Sequence, residues 1–528
     1  MTTQALDTDT ATSARLPWIL RLGRFFTRVP VGPLGMAAGI VIALASYGGG
    51  ATRSRGGVLE AIGLEFFQYG HGAAISNVTL LAGTILFVFA WVRLGQIIIS
   101  AQGASEVSRG WLARVLAQWL WPWIFAAPIM SRDVYSYLMQ GALLANGFDP
   151  YTQGAAFNPG PYLVEVSPDW RNTTTPYGPL HLWIGKVITE IVGENITLGL
   201  FLYKLVSLAG FVAIGFAVPR IAAQLGASPC FAVWLGVANP VMVFHLVGGM
   251  HNESVMVGLT CLGILLALTA AKDASQSERG FAARLLGGVA IIAVAMSLKA
   301  TAAFVLPFVI WYAVVDRTTL KTKLAAFCGY GFLGALITIG ILWLVTWASG
   351  SNFGWIEALT GNTKVINPLA FPSFVTSSIG LIASVWTDAF PYNQLLSVVR
   401  QVSMVIMGVG MIGCWWYFRS SRLQATRGMI GAYLFAFVFN SVTLPWYYAS
   451  ILSLAGATRL GAWANKLITA MSIIVALAFT GGGNHQLYNI PWMVVLIVCA
   501  WWAVQVIFHG HADDDVSAAQ AGVGKQEA

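Results

Sequence analysis

Charged residues make up 9% of this 528-residue chain against 57% hydrophobic ones, so the places where titratable side chains gather are informative. Asp133 is the first. It follows the apolar run "QWLWPWIFAAPIM" directly, within "SRDVYSYLMQG", residues 131–141. A carboxylate there has two readings that its position leaves open. It caps a helix start or pairs with Arg132, satisfying orphan N–H groups; or it is a general base that takes a proton from a substrate hydroxyl within hydrogen-bond reach. The second place is "GGMHNES", residues 248–254, where His251, Asn252 and Glu253 are adjacent. Asn252 can cap the following helix and His251 can be a packing residue, as His245 one turn lower reads. The third is Lys299, between two short apolar segments. A lysine there is costly and marks function by default, unless it snorkels to the headgroups or neutralises a carboxylate.

The elements that must position these groups are membrane spans. An average soluble domain is roughly 25% charged, and a span needs about 20 mainly apolar residues. Such windows recur from residue 31 to residue 508, so the chain reads as an all-α polytopic membrane protein. Fourteen spans are expected, near 31–50, 75–99, 112–130, 196–218, 228–247, 254–271, 285–298, 301–315, 324–347, 394–418, 428–443, 446–460, 467–482 and 490–508. Segments 285–298 with 301–315, and 428–443 with 446–460, are short enough to be paired half-helices. With the N-terminus in the cytoplasm, the inner segments hold 20 of the 29 Lys and Arg, as the positive-inside rule requires. That asymmetry accounts for the net charge of +8 without nucleic acid as a partner.

The topology places Asp133 at the start of the longest external insertion, residues 131–195. Two interfacial helices are expected there, "SRDVYSYLMQGALLANG", with Val134, Tyr137, Leu138 and Leu144 near one face, and "LHLWIGKVITEIVG" along the surface. Between them lies a Pro- and Gly-dense loop, in which Asp149 builds the turn before Pro150. Segment 348–393 is a second external region, with Glu357, Lys364 and Asp388 as charges. The five cysteines lack CxxC partners and read as small buried hydrophobes. Without HxxxH or DxD spacing between residues 31 and 508, neither a metal nor a cofactor is expected.

"SRDVYSYLMQG", "NGFDPY" and "TPYGPLHLW", in this order, resemble the first external loop of the C-type glycosyltransferase superfamily. With "NPVMVFHLVGGMHNES", "SLKATAAFVLP" and "LPWYYASI", the chain is similar, from about residue 110 onward, to the polyprenol-phosphomannose-dependent α-1,6-mannosyltransferases of mycobacteria and corynebacteria. Two extra spans precede the superfamily's usual first helix, a departure that matches this subgroup. The resemblance implies a C-type glycosyltransferase fold, divided into a basic cytoplasmic tail (1–30), two additional spans (31–110), a transferase module (111–347) with catalytic loop 131–195, a second transmembrane module (348–508) with loop 348–393, and a disordered tail (509–528).

It also implies a polyprenyl phosphomannose donor, a mannosylated glycolipid acceptor of the lipomannan and lipoarabinomannan type, and catalysis on the outer face of the plasma membrane among its lipids. Asp133 carries over as the base in a single inverting displacement, a reaction that needs no second carboxylate as nucleophile. The departing phosphate needs a cation in a dry site, for which Lys299 is the candidate and Arg132 and Arg171 weaker ones. His251 and Glu253 are expected at the phosphate or in acid–base work, and Asn252 at sugar hydroxyls. Tyr137, Asp149, Tyr177 and Trp446 complete the candidate substrate contacts. Trp170 and Trp355 are further stacking candidates, although aromatic residues are enriched at membrane interfaces in any case. The alternatives are a transferase for another polyprenyl-phosphosugar, such as arabinose, and a transporter or flippase of polyprenyl-linked sugar.

Overall fold

The computed structural model describes residues 29–100, 107–270, 277–361, 366 and 369–508. The basic tail up to residue 28, the acidic tail from 509 and Lys364 lie outside the described residues. Regular structure among the described residues is helical, apart from one isolated bridge between Phe479 and His485.

Helices α1 (Val31–Gly49) and α2 (Gly70–Ser100) form an N-terminal hairpin, and α3 (Arg109–Leu120) runs into a 3₁₀ turn at Trp121–Phe125. The long connection that follows carries α4 (Asp133–Ala145) and α5 (Pro179–Val192). The first half closes with α6 (Ile196–Gln224), α7 (Pro229–Gly236) and its bent continuation Pro240–Gly248, α8 (Glu253–Thr269) and α9 (Glu278–Leu298). The second half holds α10 (Leu306–Trp311), α11 (Leu320–Ser349), α12 (Phe371–Ala383), α13 (Tyr392–Tyr417), α14 (Arg422–Phe439), α15 (Ala449–Ala455), α16 (Ala462–Leu477) and α17 (Ile490–Phe508).

Seven of these, α1, α2, α6, α9, α11, α13 and α17, are long and apolar enough to cross a membrane, and α7 with its continuation makes an eighth. The expected fourteen spans are therefore not fourteen full-length helices. Segment 285–298, expected as a half-helix, is the greater part of the 21-residue α9. Segments 112–130 and 446–460 contain breaks at Pro122 and Gly456, because proline cannot donate to the helix ladder and glycine favours helix ends. The 52° bend between α7 and Pro240–Gly248 falls at Asn239-Pro240. Asn239 repairs it: its side chain accepts from Val241 N at 2.9 Å and donates to Leu235 O at 3.1 Å and Ser472 Oγ at 2.8 Å. Without water, freed backbone groups need such partners.

The N-terminal hairpin is joined to the rest by indole hydrogen bonds. Trp91 and Trp234 stack at 5.1 Å, and each Nε1 donates to the other's carbonyl, at 2.9 and 3.0 Å. On α11, Leu324, Phe332, Leu336, Ile339, Trp343 and Trp347 are exposed, which suits a lipid-facing helix. Cys328 and Cys499 are exposed as well, on α11 and α17, which corrects the expectation that all five cysteines are buried; Cys261 and Cys414 are.

Helix α4 departs from the expected one-faced interfacial helix. Val134, Tyr137 and Leu138 are buried as expected, but so are Tyr135, Ser136, Met139, Gly141, Ala142 and Leu143. Glycine permits this, because α4 and α5 cross in backbone contact. A Cβ on Gly141 would lie 2.2 Å from the Gly185 carbonyl carbon. Substituting Gly141→Val overpacks this crossing and costs about 1–3 kcal/mol, read as a lowered unfolding temperature of the detergent-purified protein. Gly329→Ala, where a Cβ meets nothing within 4 Å, does not lower it; equal unfolding temperatures for the two variants would contradict the crossing.

Candidate functional site

Asp133 is the first residue of α4, and its approach is tied on both sides. Ile129 N donates to Gly248 O at 3.3 Å and Met130 N to Gly481 O at 2.6 Å. Met130 itself adopts φ 60°, left-handed backbone that a non-glycine residue rarely takes. Ser131 Oγ then accepts from Asp133 N at 3.1 Å. Arg132 turns away from Asp133: it donates to Thr52 O at 2.6 Å, to Glu165 O from Nε and Nη2 at 3.1 and 2.9 Å, and to Glu165 Oε2 at 3.0 Å. The neighbouring opposite charges are thus not a pair, and Glu165 is the arginine's counter-ion.

Asp133 instead faces the cluster after the broken span. His251 Nδ1 lies 3.5 Å from Asp133 Oδ2 and 3.4 Å from Tyr137 OH. The His251 ring stacks on Trp446 with centroids 3.5 Å apart and planes within 16°. Its turn, like that of Asp133, follows a left-handed methionine, Met250 at φ 55°. Glu253 opens α8, where the helix N-terminus favours a carboxylate. Lys299, at the end of α9, is ion-paired to Glu253 Oε1 and lies 4.1 Å from the Tyr447 ring centroid and 5.4 Å from that of Tyr177. Lys299 is held there by a second close approach: Gly178 N donates to Leu298 O at 3.0 Å, and a Cβ on Gly178 would meet Ser297 O at 2.3 Å.

Two carboxylates sharing one ammonium set the electrostatics. Burial first, and the Glu253 charge second, push the Asp133 carboxyl up to about 7, against the lowering pull of Lys299 and the Ser131 hydroxyl. The imidazoles stay neutral. Burial, aided by His245 and Lys299, holds His251 well below its usual range, and burial with Lys299 brings His181 down to about 3. Asn252 Nδ2 meets His181 Nδ1 at 3.2 Å, and His181 Nε2 meets Gln140 Oε1 at 2.9 Å. With Asn252 donating to Nδ1, the His181 proton is assigned to Nε2, donating to Gln140. Asn252 therefore does not cap α8 with its side chain.

Of the candidates from the sequence, Asp133, Tyr137, Tyr177, His251, Asn252, Glu253, Lys299 and Trp446 are together. Arg132 stands beside them but is engaged by Glu165 and Thr52. Asp149 is a turn residue: its carboxylate accepts from Tyr151 N at 3.0 Å, Thr152 Oγ1 at 3.2 Å and Asn352 Nδ2 at 3.1 Å. Arg171 donates to the carbonyls of Val166 and Val164, both at 3.1 Å. Trp170 packs with the cluster around α4, and Trp355 with Tyr151 and Leu182.

Sequence reasoning missed His181, Gln140 and Tyr447. A period of 3.6 applied to α4 finds Gln140, since 133, 137 and 140 share one face. His181 lies in "TPYGPLHLW", where a lone histidine among apolar residues carries no local sign of its partners Asn252 and Gln140. Several polar atoms here have no hydrogen-bond partner among the described residues: His251 Nε2, Asn252 Oδ1, Glu253 Oε2, Trp446 Nε1 and both ring nitrogens of His245. Buried polar groups are normally hydrogen-bonded, so this concentration fits a surface built for a polar ligand. The arrangement supplies a poised base, a cation and neutral hydrogen-bonding rings, the groups required when a hydroxyl attacks a carbon and displaces an anionic leaving group.

The family described as alpha-(1->6)-mannopyranosyltransferase, N-terminal domain, matches residues 33–315, and the MptB C-terminal domain matches residues 372–509. Alpha-(1->6)-mannopyranosyltransferase A of Corynebacterium glutamicum is 51% identical over 89% of this chain and 96% of its own length. The protein of the same name from Mycobacterium tuberculosis is 33% identical over 98% of this chain and 97% of its own. Among solved structures, ArnT from Cupriavidus metallidurans bound to undecaprenyl phosphate covers 80% of each chain at a TM-score of 0.41 and 14% identity. With one family match spanning more than half the chain and a relative identical at half its aligned positions, this polytopic, all-helical protein belongs to the alpha-(1->6)-mannopyranosyltransferase family of corynebacteria and mycobacteria.

Proposed function

We propose that the protein is an inverting mannosyltransferase that moves mannose from polyprenyl phosphomannose to an α-1,6-mannan lipoglycan acceptor on the outer face of the plasma membrane. The observation that carries the reading is the convergence of Asp133, His251, Glu253 and Lys299 at one end of the helix bundle. The names of the relatives support the transferred sugar and linkage. Sidedness is supported by the basic residues: Arg284, Arg317, Arg422 and Arg427 line the opposite end, where they bind carbonyls and carboxylates of the connecting turns, the Arg459 carbonyl among them.

In the reaction, Asp133 accepts the proton of an acceptor hydroxyl as its oxygen bonds to the anomeric carbon of mannose. The bond from that carbon to the phosphate oxygen breaks on the opposite face, and its electron pair leaves with polyprenyl phosphate. One displacement inverts a β-linked donor to an α-linked product. Lys299 stabilises the growing phosphate charge; an ammonium has three N–H donors, of which the Glu253 contact uses one. Trp446 presents its indole N–H beside His251. Asn252 offers its free carbonyl oxygen to sugar hydroxyls, held in that orientation by His181.

Purified protein transfers labelled mannose from polyprenyl phosphomannose to a short α-1,6-mannoside without a nucleotide sugar. Passage of labelled lipid across vesicles with no transfer would instead favour a transporter. Asp133→Asn lowers kcat by about 10²–10⁴, the usual contribution of a general base, at unchanged expression; full activity would sink the assignment. Lys299→Met costs about 10²–10³ in kcat, as loss of one charge-stabilising donor does.

Since only the deprotonated Asp133 is a base, kcat/KM rises with pH through about 7. Glu253→Gln removes a charge that raises the Asp133 pKa, so the acid limb moves to lower pH. A limb that stays in place in Glu253→Gln assigns it to another group.

A further inference from the structure

A cavity with a mainly apolar lining lies behind the turn that carries Asp133, and the proposed reaction does not use it. It measures about 150 Å³ and is bounded by the end of α1 at Tyr47, the connection Thr52–Val58, the stretch Phe125–Pro128 and one face of α6. Thr197, Leu200, Phe201 and Lys204 line it from α6, at the i, i+3, i+4, i+7 spacing of a single helical face. Tyr135 and Met250 form the wall toward Asp133 and His251.

Two cations enter this cavity, Arg53 and Lys204. Lys204 is 2% exposed and has no carboxylate partner among the described residues; its hydrogen bond is to Val247 O at 2.7 Å. That contact is a cap on the last carbonyls of Pro240–Gly248, and it supplies no opposite charge to the amine. A buried charge without a counter-ion is costly, and within a span it marks function by default. Lys204 sits eight residues into α6, roughly 12 Å along the axis from the helix start. Arg53 Nη1 donates to Thr197 Oγ1 at 3.0 Å, and its Nε, 3.7 Å from Glu165, is buried without a hydrogen-bond partner among the described residues. Glu165 is more closely engaged by Arg132 and by the Ser54 amide. Glu60, the other carboxylate near the rim, accepts from Gly56 N at 2.8 Å. At the mouth, Phe125 and Phe201 are 59% and 42% exposed, an apolar entrance at the end of the bundle that carries Asp133.

We propose that this cavity binds the anionic phosphate headgroup of a membrane lipid, with the phosphate between Lys204 and Arg53 and the acyl chain against Phe125 and Phe201. The occupant is a lipid and not a soluble anion because the entrance is apolar and Lys204 is deep in α6. The site is distinct from the catalytic one, but Met250 and Tyr135 connect the two, so an occupant steadies the backbone that holds His251 and Asp133.

The test uses the full-length protein in vesicles of phosphatidylcholine alone, or of phosphatidylcholine with phosphatidylglycerol, followed by extraction in neutral detergent. The readouts are co-purifying lipid and unfolding temperature. The wild type retains phosphatidylglycerol in preference to phosphatidylcholine and unfolds at higher temperature with it. Lys204→Met and the more exposed Arg53→Gln each lose the preference and the shift, while Lys186→Gln, at a partly exposed cation paired with Glu190 outside the cavity, keeps both. Unchanged preference in Lys204→Met and Arg53→Gln overturns the proposal. So does an equal shift with inorganic phosphate in detergent, which would make this a site for a soluble anion.

Discussion

Asp133 and Glu253 bring two carboxylates into a nearly dry cluster that holds one ammonium, Lys299. Like charges in low dielectric resist joint ionisation, and Glu253 takes the ammonium. Asp133 is left with a carboxyl near neutrality, the condition under which a carboxylate is both available and basic enough to accept a proton. Had Arg132 turned toward Asp133, the adjacent guanidinium would have lowered that pKa and weakened the base.

Glu165 prevents this. It lies 33 residues from Arg132, is 2% exposed, and accepts from Arg132 and from the Ser54 amide, with Arg53 Nε 3.7 Å away. It thereby joins the N-terminal hairpin to the start of α4, and the two additional spans become part of the scaffold of the site. The Tyr135 hydroxyl repeats the connection, donating to Ala51 O at 2.7 Å. Left-handed backbone at Met130 and Met250 costs of order 1–3 kcal/mol each, and both lie within three residues of a site side chain. Such strain persists only where the surroundings over-determine it, as the ties to Gly481 and Gly248 do at the first turn.

The sequence was informative wherever a residue type was rare. In a chain 9% charged, Asp133, Glu253 and Lys299 were conspicuous against apolar runs, and the long spans could be read from run length alone. Partner choice was not legible: nothing local says that Arg132 binds Glu165 or that Asn252 meets His181 instead of capping α8. Short apolar runs were equally opaque, because periodicity does not distinguish a half-span from part of a full helix. Segment 285–298 is the clearest case, completed to a full crossing by Glu278–Arg284, residues too polar to be counted as membrane from composition.

The breaks that obscured the span count are what place the chemistry. His251 follows the π-helical turn Val243–Gly248, Lys299 lies between α9 and the 3₁₀ turn Ala300–Val305, Trp446 is in the 3₁₀ turn Pro445–Tyr448, and Asp133 comes after the irregular stretch beyond Trp121–Phe125. In a lipid bilayer, irregular backbone survives only where protein or a polar cavity covers it. Four interruptions gathered at one end of a bundle cover one another, and their side chains meet in one cluster. The same constraint that makes such breaks expensive in a membrane therefore concentrates them, and with them the polar groups, at a single site.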